Sequence, residues 1–267
     1  MSPWIAVALG LGLAVAAPSE ADLLAAIRKG DAAAVKALLD QGVSANAKYR
    51  YDRSALSFAA DRGQVEVVRL LLDRGADPNA KDTFYKMTAL SAAAEQDHVE
   101  VVRLLIARGA TDIGGIVLRA VREKSLPLLE IVIGSGRLTP HDLSYALEEA
   151  LKAEAPELAD RLRQAGAVAP PKAEFQVPAE TLARYVGTYR DTKGTDEVTF
   201  SVAEGALQAA FGGRTLKLAA YDAVRFKIVE APGAVIEFQV QDGRATGHTV
   251  YEIGEISTFA RVTEGKP

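Results

Sequence analysis

The chain has 267 residues, 49% of them hydrophobic and 25% charged, with a formal net charge of -4. That composition is ordinary for a soluble globular protein of one or two domains with a real core, and the small negative balance argues against nucleic acid or an anionic membrane surface as a partner. No cysteine is present, which excludes disulfides, thiolate metal sites and cysteine nucleophiles.

Residues 1–17 (MSPWIAVALGLGLAVAA) form an uncharged apolar run closing on Ala14-Val15-Ala16, the small-x-small form of a signal-peptidase site. As a helix, its ~13 apolar residues would span about 20 Å at ~1.5 Å each, short of a ~30 Å hydrocarbon core. A signal peptide is therefore expected rather than stable membrane insertion, with a periplasmic or secreted mature chain starting near Ala17 or Pro18. The run has no Lys or Arg, so an interfacial anchor or a buried first helix is the competing reading.

The repeat domain is expected over residues 18–167. Residues 20–46 place Leu23, Leu24, Ala26 and Ile27 in one helix and Val35, Leu38 and Leu39 in a second, with Gly30 and Gly42 at the helix ends. Polar outer positions such as Asp22, Arg28, Lys29, Asp31 and Lys36 suit a capping unit that shows one face to water.

The next stretch says nearly the same thing twice. SALSFAADRGQVEVVRLLLDRGAD at 54–77 is followed, offset by 34 positions, by TALSAAAEQDHVEVVRLLIARGAT at 88–111, with VEVVRLL identical in both. In each unit a hydroxyl (Ser54, Thr88) stands where an N-cap belongs, and in the first the second helix ends at Gly75, where a left-handed C-cap is easiest. The unit reads as helix, turn, helix, polar finger. It resembles the ankyrin repeat, whose T-P-L-H-x-A-A opening appears as Ser54-Ala55-Leu56-Ser57-Phe58-Ala59-Ala60 and Thr88-Ala89-Leu90-Ser91-Ala92-Ala93-Ala94, without its Pro and His. Its G-A-D-x-N-A close appears at Gly75-Ala76-Asp77-Pro78-Asn79-Ala80. The resemblance implies an α solenoid that recognises another protein.

The fingers carry the functional signal. Four of the six aromatic residues between Glu20 and Ala167 fall in two successive fingers, Tyr49 and Tyr51 in the first, Phe84 and Tyr85 in the second. Fingers are ordinarily polar because they are solvated, whereas Tyr and Arg together characterise protein-binding hot spots. Tyr49, Arg50, Tyr51, Arg53, Phe84, Tyr85 and Lys86 are the candidate partner-binding residues. The competing structural reading is that neighbouring fingers staple to each other, Tyr51 against Phe84.

Beyond the strong repeats the period persists but the fingers shrink. Val117, Leu118, Ala120 and Val121 with Leu128, Leu129, Ile131 and Val132 predict a fourth unit, and Leu143, Ala146, Leu147, Ala150 and Leu151 with Leu158 and Leu162 a fifth. Gly134-Ser135-Gly136 reads as a helix terminus, and the segment after it is too short for a finger.

Residues 168–179 are proline-rich and mark a linker. A β-domain is expected over 180–264, where alternation replaces the helical period: Val198, Phe200 and Val202; Leu207, Ala209 and Phe211; Phe226 and Ile228; Ile236, Phe238 and Val240. Turn signals at Glu204-Gly205, Gly212-Gly213, Pro232-Gly233 and Asp242-Gly243 complete an antiparallel meander of about seven or eight strands, barrel-like. The segment Leu182-Ala183-Arg184-Tyr185-Val186-Gly187-Thr188-Tyr189, the Gly205-Ala206-Leu207 hairpin, and the Phe238 strand with Asp242-Gly243 resemble the lipocalin-like domain appended to exported penicillin-binding-protein-like serine hydrolases. That resemblance implies an exported bacterial setting and a β-fold, but no activity. Tyr185, Tyr189, Phe200, Phe211, Phe226 and Phe238 either line a ligand cavity or fill a core. In so small a domain a filled core is expected.

Chemistry is hard to place. No serine has Lys three residues on, and neither a G-x-S-x-G elbow nor a Walker loop occurs. His98, His141 and His248 lie in different units, which argues against a zinc site, and His98 is expected to open the inner helix of its repeat. The acid pairs Glu148-Glu149 and Asp196-Glu197 read as solvated charge. The expectation is a non-catalytic, cofactor-free protein-binding scaffold. The alternative is a carrier or sensor that holds a small apolar ligand in the β-domain.

Overall fold

The computed structural model describes residues 17–262. Residues 1–16, on which the expectation of a signal peptide chiefly rests, lie outside them. The chain forms five helix pairs followed by a closed β-barrel.

The pairs are α1 (Glu20–Lys29) with α2 (Ala32–Asp40), α3 (Ala55–Asp61) with α4 (Val65–Asp73), α5 (Ala89–Glu95) with α6 (Val99–Ala107), α7 (Ile113–Arg122) with α8 (Leu126–Gly134), and α9 (Pro140–Lys152) with α10 (Pro156–Gln164). The expected apolar positions fall in these helices, but Leu151, counted with the fifth unit, is exposed because it lies near the end of α9 on the side away from the core. Ser54 and Thr88 cap α3 and α5 by accepting from the amides of Ser57 and Ser91. Ala55, Leu56, Ala59 and Ala60 are all fully buried, because a first helix packed between two neighbours must be thin. Ser135 caps the end of α8, as the Gly134-Ser135-Gly136 reading required.

Side-chain bonds tie successive repeats at recurring positions, some of them ion pairs such as Arg74–Asp40 and Arg108–Asp73. Gln64 and His98 occupy equivalent positions before α4 and α6, and each reaches back to the preceding unit: Gln64 Nε2 donates to the Ile27 carbonyl at 2.7 Å, and His98 Nε2 lies 3.2 Å from the Asp61 carbonyl. A Cβ on Gly63 would stand 2.7 Å from the His98 ring, and its φ of +67° also favours glycine. His98 thus opens the second, more exposed helix of its unit rather than the inner one, because the inner position goes to the thin Ala-rich helix. At the fingers, Asn46 donates to the Gly75 carbonyl and accepts from the Asp77 amide, and Asn79 does the same with Gly109 and Thr111. The Asn of the unit's close is therefore a tie between repeats.

After the linker, α11 (Ala179–Leu182) leads into β1 (Gly187–Asp191), β2 (Glu197–Ala203), β3 (Ala206–Phe211), β4 (Arg214–Ala220), β5 (Arg225–Ile228), β6 (Val235–Gln241), β7 (Arg244–Glu252) and β8 (Glu255–Arg261). Every strand pairs antiparallel with its sequence neighbour, and β1 closes on β8 with Tyr189 opposite Arg261. Tight hairpins are set by positive φ at Glu204-Gly205 and Asp242-Gly243. The linker's end already belongs to the barrel, since the Phe175 amide donates to the Ala220 carbonyl and Val177 packs on the barrel core.

Rings occupy the barrel interior. Tyr185 stacks on Phe238 with centroids 4.3 Å apart, and Phe226, Tyr189 and Phe200 surround them edge-on. Phe211, grouped with this set from its alternation, is instead exposed. It has the inward parity but ends β3 at the Gly212-Gly213 turn, beyond the reach of the core. His248 takes a place among the rings, only 1% exposed, stacked on Phe259 at 4.6 Å. Neither of its nitrogens has a hydrogen-bond partner, and burial pushes its pKa down to about 3.

The barrel sits against the fourth and fifth repeats through two hairpin tips. At the β7–β8 turn the Gly254 amide donates to Asp142 Oδ1 at 3.0 Å, and a Cβ on Gly114 in α7 would lie 2.4 Å from that same amide nitrogen. At the β5–β6 turn the Gly233 carbonyl meets His141 Nε2 at 2.7 Å and the Tyr145 ring lies against Gly233.

Candidate partner-binding surface

The first finger is a tight loop. The Tyr49 amide donates to the Arg53 carbonyl at 3.0 Å and the Asp52 amide to the Tyr49 carbonyl at 2.9 Å. Tyr51 and Asp52 take φ of 63° and 57°, a left-handed conformation uncommon outside glycine, which turns Tyr51 outward. In the second finger, Asp82 is buried and its Oδ1 accepts from the amides of Phe84 and Tyr85 at 3.0 and 2.7 Å, folding the loop around one carboxylate. Lys86 follows with φ of 58° and points to solvent.

A single main-chain bond joins the two loops, from the Thr83 amide to the Tyr51 carbonyl at 2.8 Å. It brings Tyr51 and Phe84 to a ring separation of 5.2 Å, and Tyr85 stands edge-on to Phe84 at 4.4 Å. The fingers do staple to each other, yet Tyr51, Phe84 and Tyr85 remain 48%, 61% and 73% exposed. Stapling and display are the same arrangement. The result is an exposed aromatic ridge in which each ring touches the next. Arg50 lies over the Tyr51 ring at 4.6 Å and donates to its hydroxyl at 2.6 Å, a cation placed at the edge of the ridge.

Two of the seven candidate residues turn inward. Tyr49 packs edge-on against Phe58 at 5.7 Å and its hydroxyl donates to the Glu20 carbonyl at 2.9 Å. Burial, with the Glu20 carboxylate adding to it, raises the Tyr49 pKa to about 12. Arg53 stacks over Phe58 at 4.3 Å and pairs with Asp61 at 3.1 Å. Tyr49 thus ties the finger to the first repeat and Arg53 ties it to α3, and the exposed set is Arg50, Tyr51, Phe84, Tyr85 and Lys86.

The residues seating the barrel escaped the sequence reading. Asp142, which is buried, caps α9 in a box with Thr139 and also holds Gly254. Glu148 is shared between Lys152 at 2.8 Å and Lys227 of β5 at 3.7 Å, so one of the acid pairs read as solvated charge bridges the domains. The one available signal was Gly114-Gly115 near the start of a helix, where glycine is unfavourable without a packing reason. Among the described residues, no group of three or more His, Asp and Glu is arranged to hold a metal ion, and no helix is long and apolar enough to cross a membrane.

These features define a solenoid of finger-bearing helical repeats closed at its C-terminal side by an antiparallel barrel. Residues 23–115 match the ankyrin-repeat family model in three copies, so the finger-bearing part of the chain is made of ankyrin repeats. Among solved structures, the ankyrin repeat domain of Bcl-3, described as a unique member of the IkappaB protein family, is 26% identical to this chain. That match covers 55% of this chain and 70% of the other, with a TM-score of 0.49. No curated protein matches this chain.

Proposed function

We propose that the protein is an exported, non-catalytic scaffold that grips a protein partner with Tyr51, Phe84 and Tyr85, flanked by Arg50 and Lys86, and with the neighbouring inner helices. The observation that carries this reading is the ridge itself: three large rings, exposed and each in contact with the next, on loops joined by the Thr83–Tyr51 bond. Ankyrin repeats generally mediate protein–protein contact, which supports the same role. The apolar run at 1–17 supports export, as does the likeness of residues 180–262 to a lipocalin-like domain of exported bacterial hydrolases. The barrel is a second docking module in this reading. The carrier alternative gains nothing from the barrel interior, where rings rather than open space surround Phe238.

The test is capture from an extract of the source organism, comparing the wild-type chain with a variant in which Tyr51, Phe84 and Tyr85 are serine and whose circular dichroism is unchanged. A partner held by the first and lost by the second supports the reading. Equal capture by both sinks it. Protein sequencing of the exported fraction tests the signal peptide: a mature N-terminus at Ala17 or Pro18 is expected.

A further inference from the structure

Residues 180–262 carry nine Lys or Arg against eleven Asp or Glu, so the barrel is not basic as a whole. Three of its six arginines nevertheless fall together. A groove of about 980 Å³ runs across β1, β7 and β8 and is lined by Arg190, Arg244 and Arg261. Its lining includes one acid, Glu197, which accepts from Arg190 Nε at 2.9 Å and so cancels that charge.

Arg261 is held in an unusual way. Its Nη1 donates to the carbonyls of Arg184 and Ala245 at 3.1 and 3.0 Å and to the Tyr189 hydroxyl at 3.3 Å, while Nη2 donates to the Val186 carbonyl. These acceptors are neutral dipoles, and among the described residues Nε has no hydrogen-bond partner. A Cβ on Gly187 would stand 2.8 Å from Nη2, so the backbone there is shaped around the guanidinium. Among the described residues, no carboxylate pairs with Arg244 or Arg261. Both arginines act electrostatically on the Tyr189 hydroxyl, opposing the rise in its pKa that burial causes. Among the described residues, two guanidiniums without a carboxylate partner therefore line one concave surface, where low-dielectric walls focus their field.

We propose that this groove binds an oxyanion, the phosphate or carboxylate group of a small ligand, between Arg244 and the Nε edge of Arg261. Planar N–H forks match the oxygens of such groups, and charge-assisted bonds to them are the stronger kind. The fixed Arg261 supplies orientation, and the exposed Arg244 closes on the second oxygen.

The experiment is a calorimetric and NMR titration of the full chain with inorganic phosphate, and in parallel with acetate, at low ionic strength. Saturable binding is expected, with shifts confined to the ends of β1, β7 and β8. Arg244→Gln should weaken it by about tenfold or more, the value of one charge-assisted bond. Arg214→Gln, at the start of β4 and outside the groove, should leave it unchanged. A larger response to phosphate assigns phosphate-bearing ligands, and a larger response to acetate assigns carboxylates. Arg261→Gln tests the fixed half, read only if its circular dichroism matches the wild type. The proposal falls if neither anion saturates, or if Arg214→Gln and Arg244→Gln weaken binding equally, since bulk charge would then explain the effect.

Discussion

The second and third repeats and the fourth and fifth solve one problem by different means. A solenoid unit needs its neighbours held in register along the edge where the helix pairs turn. In the second and third, that edge is tied by fingers: the Asn79 bridge to Gly109 and Thr111, and the Thr83–Tyr51 bond beneath the aromatic ridge. The fourth and fifth have no comparable finger, and what meets them is the barrel, with Gly254 on Gly114 and Asp142 and Gly233 on His141 and Tyr145. A segment that makes its own tie is free to display side chains to a partner. One tied by another domain gives up that surface but gains a rigid connection to it.

The largest test of this contrast is Gly114→Val. A side chain there meets backbone rather than a flexible side chain, so relief requires the barrel to move, at a cost of about 2–3 kcal/mol as overpacking. Thermal unfolding should split into two transitions, and proteolysis should open the linker. A single transition at the wild-type temperature would mean that the seat carries no weight.

Acid should discriminate the two regions next. His248 has a folded pKa of about 3, against 6.5 for a solvated histidine, so below pH ~6.5 the unfolded chain takes a proton that the folded barrel refuses. Stability then falls by at most about 1.4 kcal/mol per pH unit until the folded pKa is reached, and about 3 kcal/mol is lost by pH ~4. The barrel and the repeats leaning on it should unfold before the finger-bearing repeats. His248→Phe should flatten this slope between about pH 6 and 4 in chemical denaturation and add stability even at neutral pH, because it removes two unpartnered nitrogens.

Asp142→Asn weakens both the α9 cap and the grip on Gly254, and a loss of about 1–2 kcal/mol is expected in denaturant melts. The smallest stability effect belongs to the serine triple of Tyr51, Phe84 and Tyr85. It removes a solvent-exposed staple of about 1 kcal/mol, so the melting temperature should drop by a few degrees at most. Loss of the fold instead would make the ridge structural rather than a binding surface.

Much of the repeat architecture was legible because it is written locally. Ser54 and Thr88 bond amides three residues ahead, and the apolar period of VEVVRLL places its buried face without help from distant residues. Hairpin signals such as Asp242-Gly243 are local too, which is why the meander could be read from alternation alone. The finger residues were half legible. Their composition marked the loops, but Tyr49 and Tyr51 are two residues apart and only the left-handed turn at Tyr51 and Asp52 sends one inward to Phe58 and the other out to Phe84.

By itself, then, the order of residues determined the periods, caps and turns, since each depends on atoms a few positions apart. Tertiary structure decided the rest: that Gly114 meets Gly254, that Asp142 does double duty, that His248 is sealed among rings, and that Arg244 and Arg261 share a groove. Those contacts join distant parts of the chain through close approach and charge, and no local pattern records which distant group will arrive.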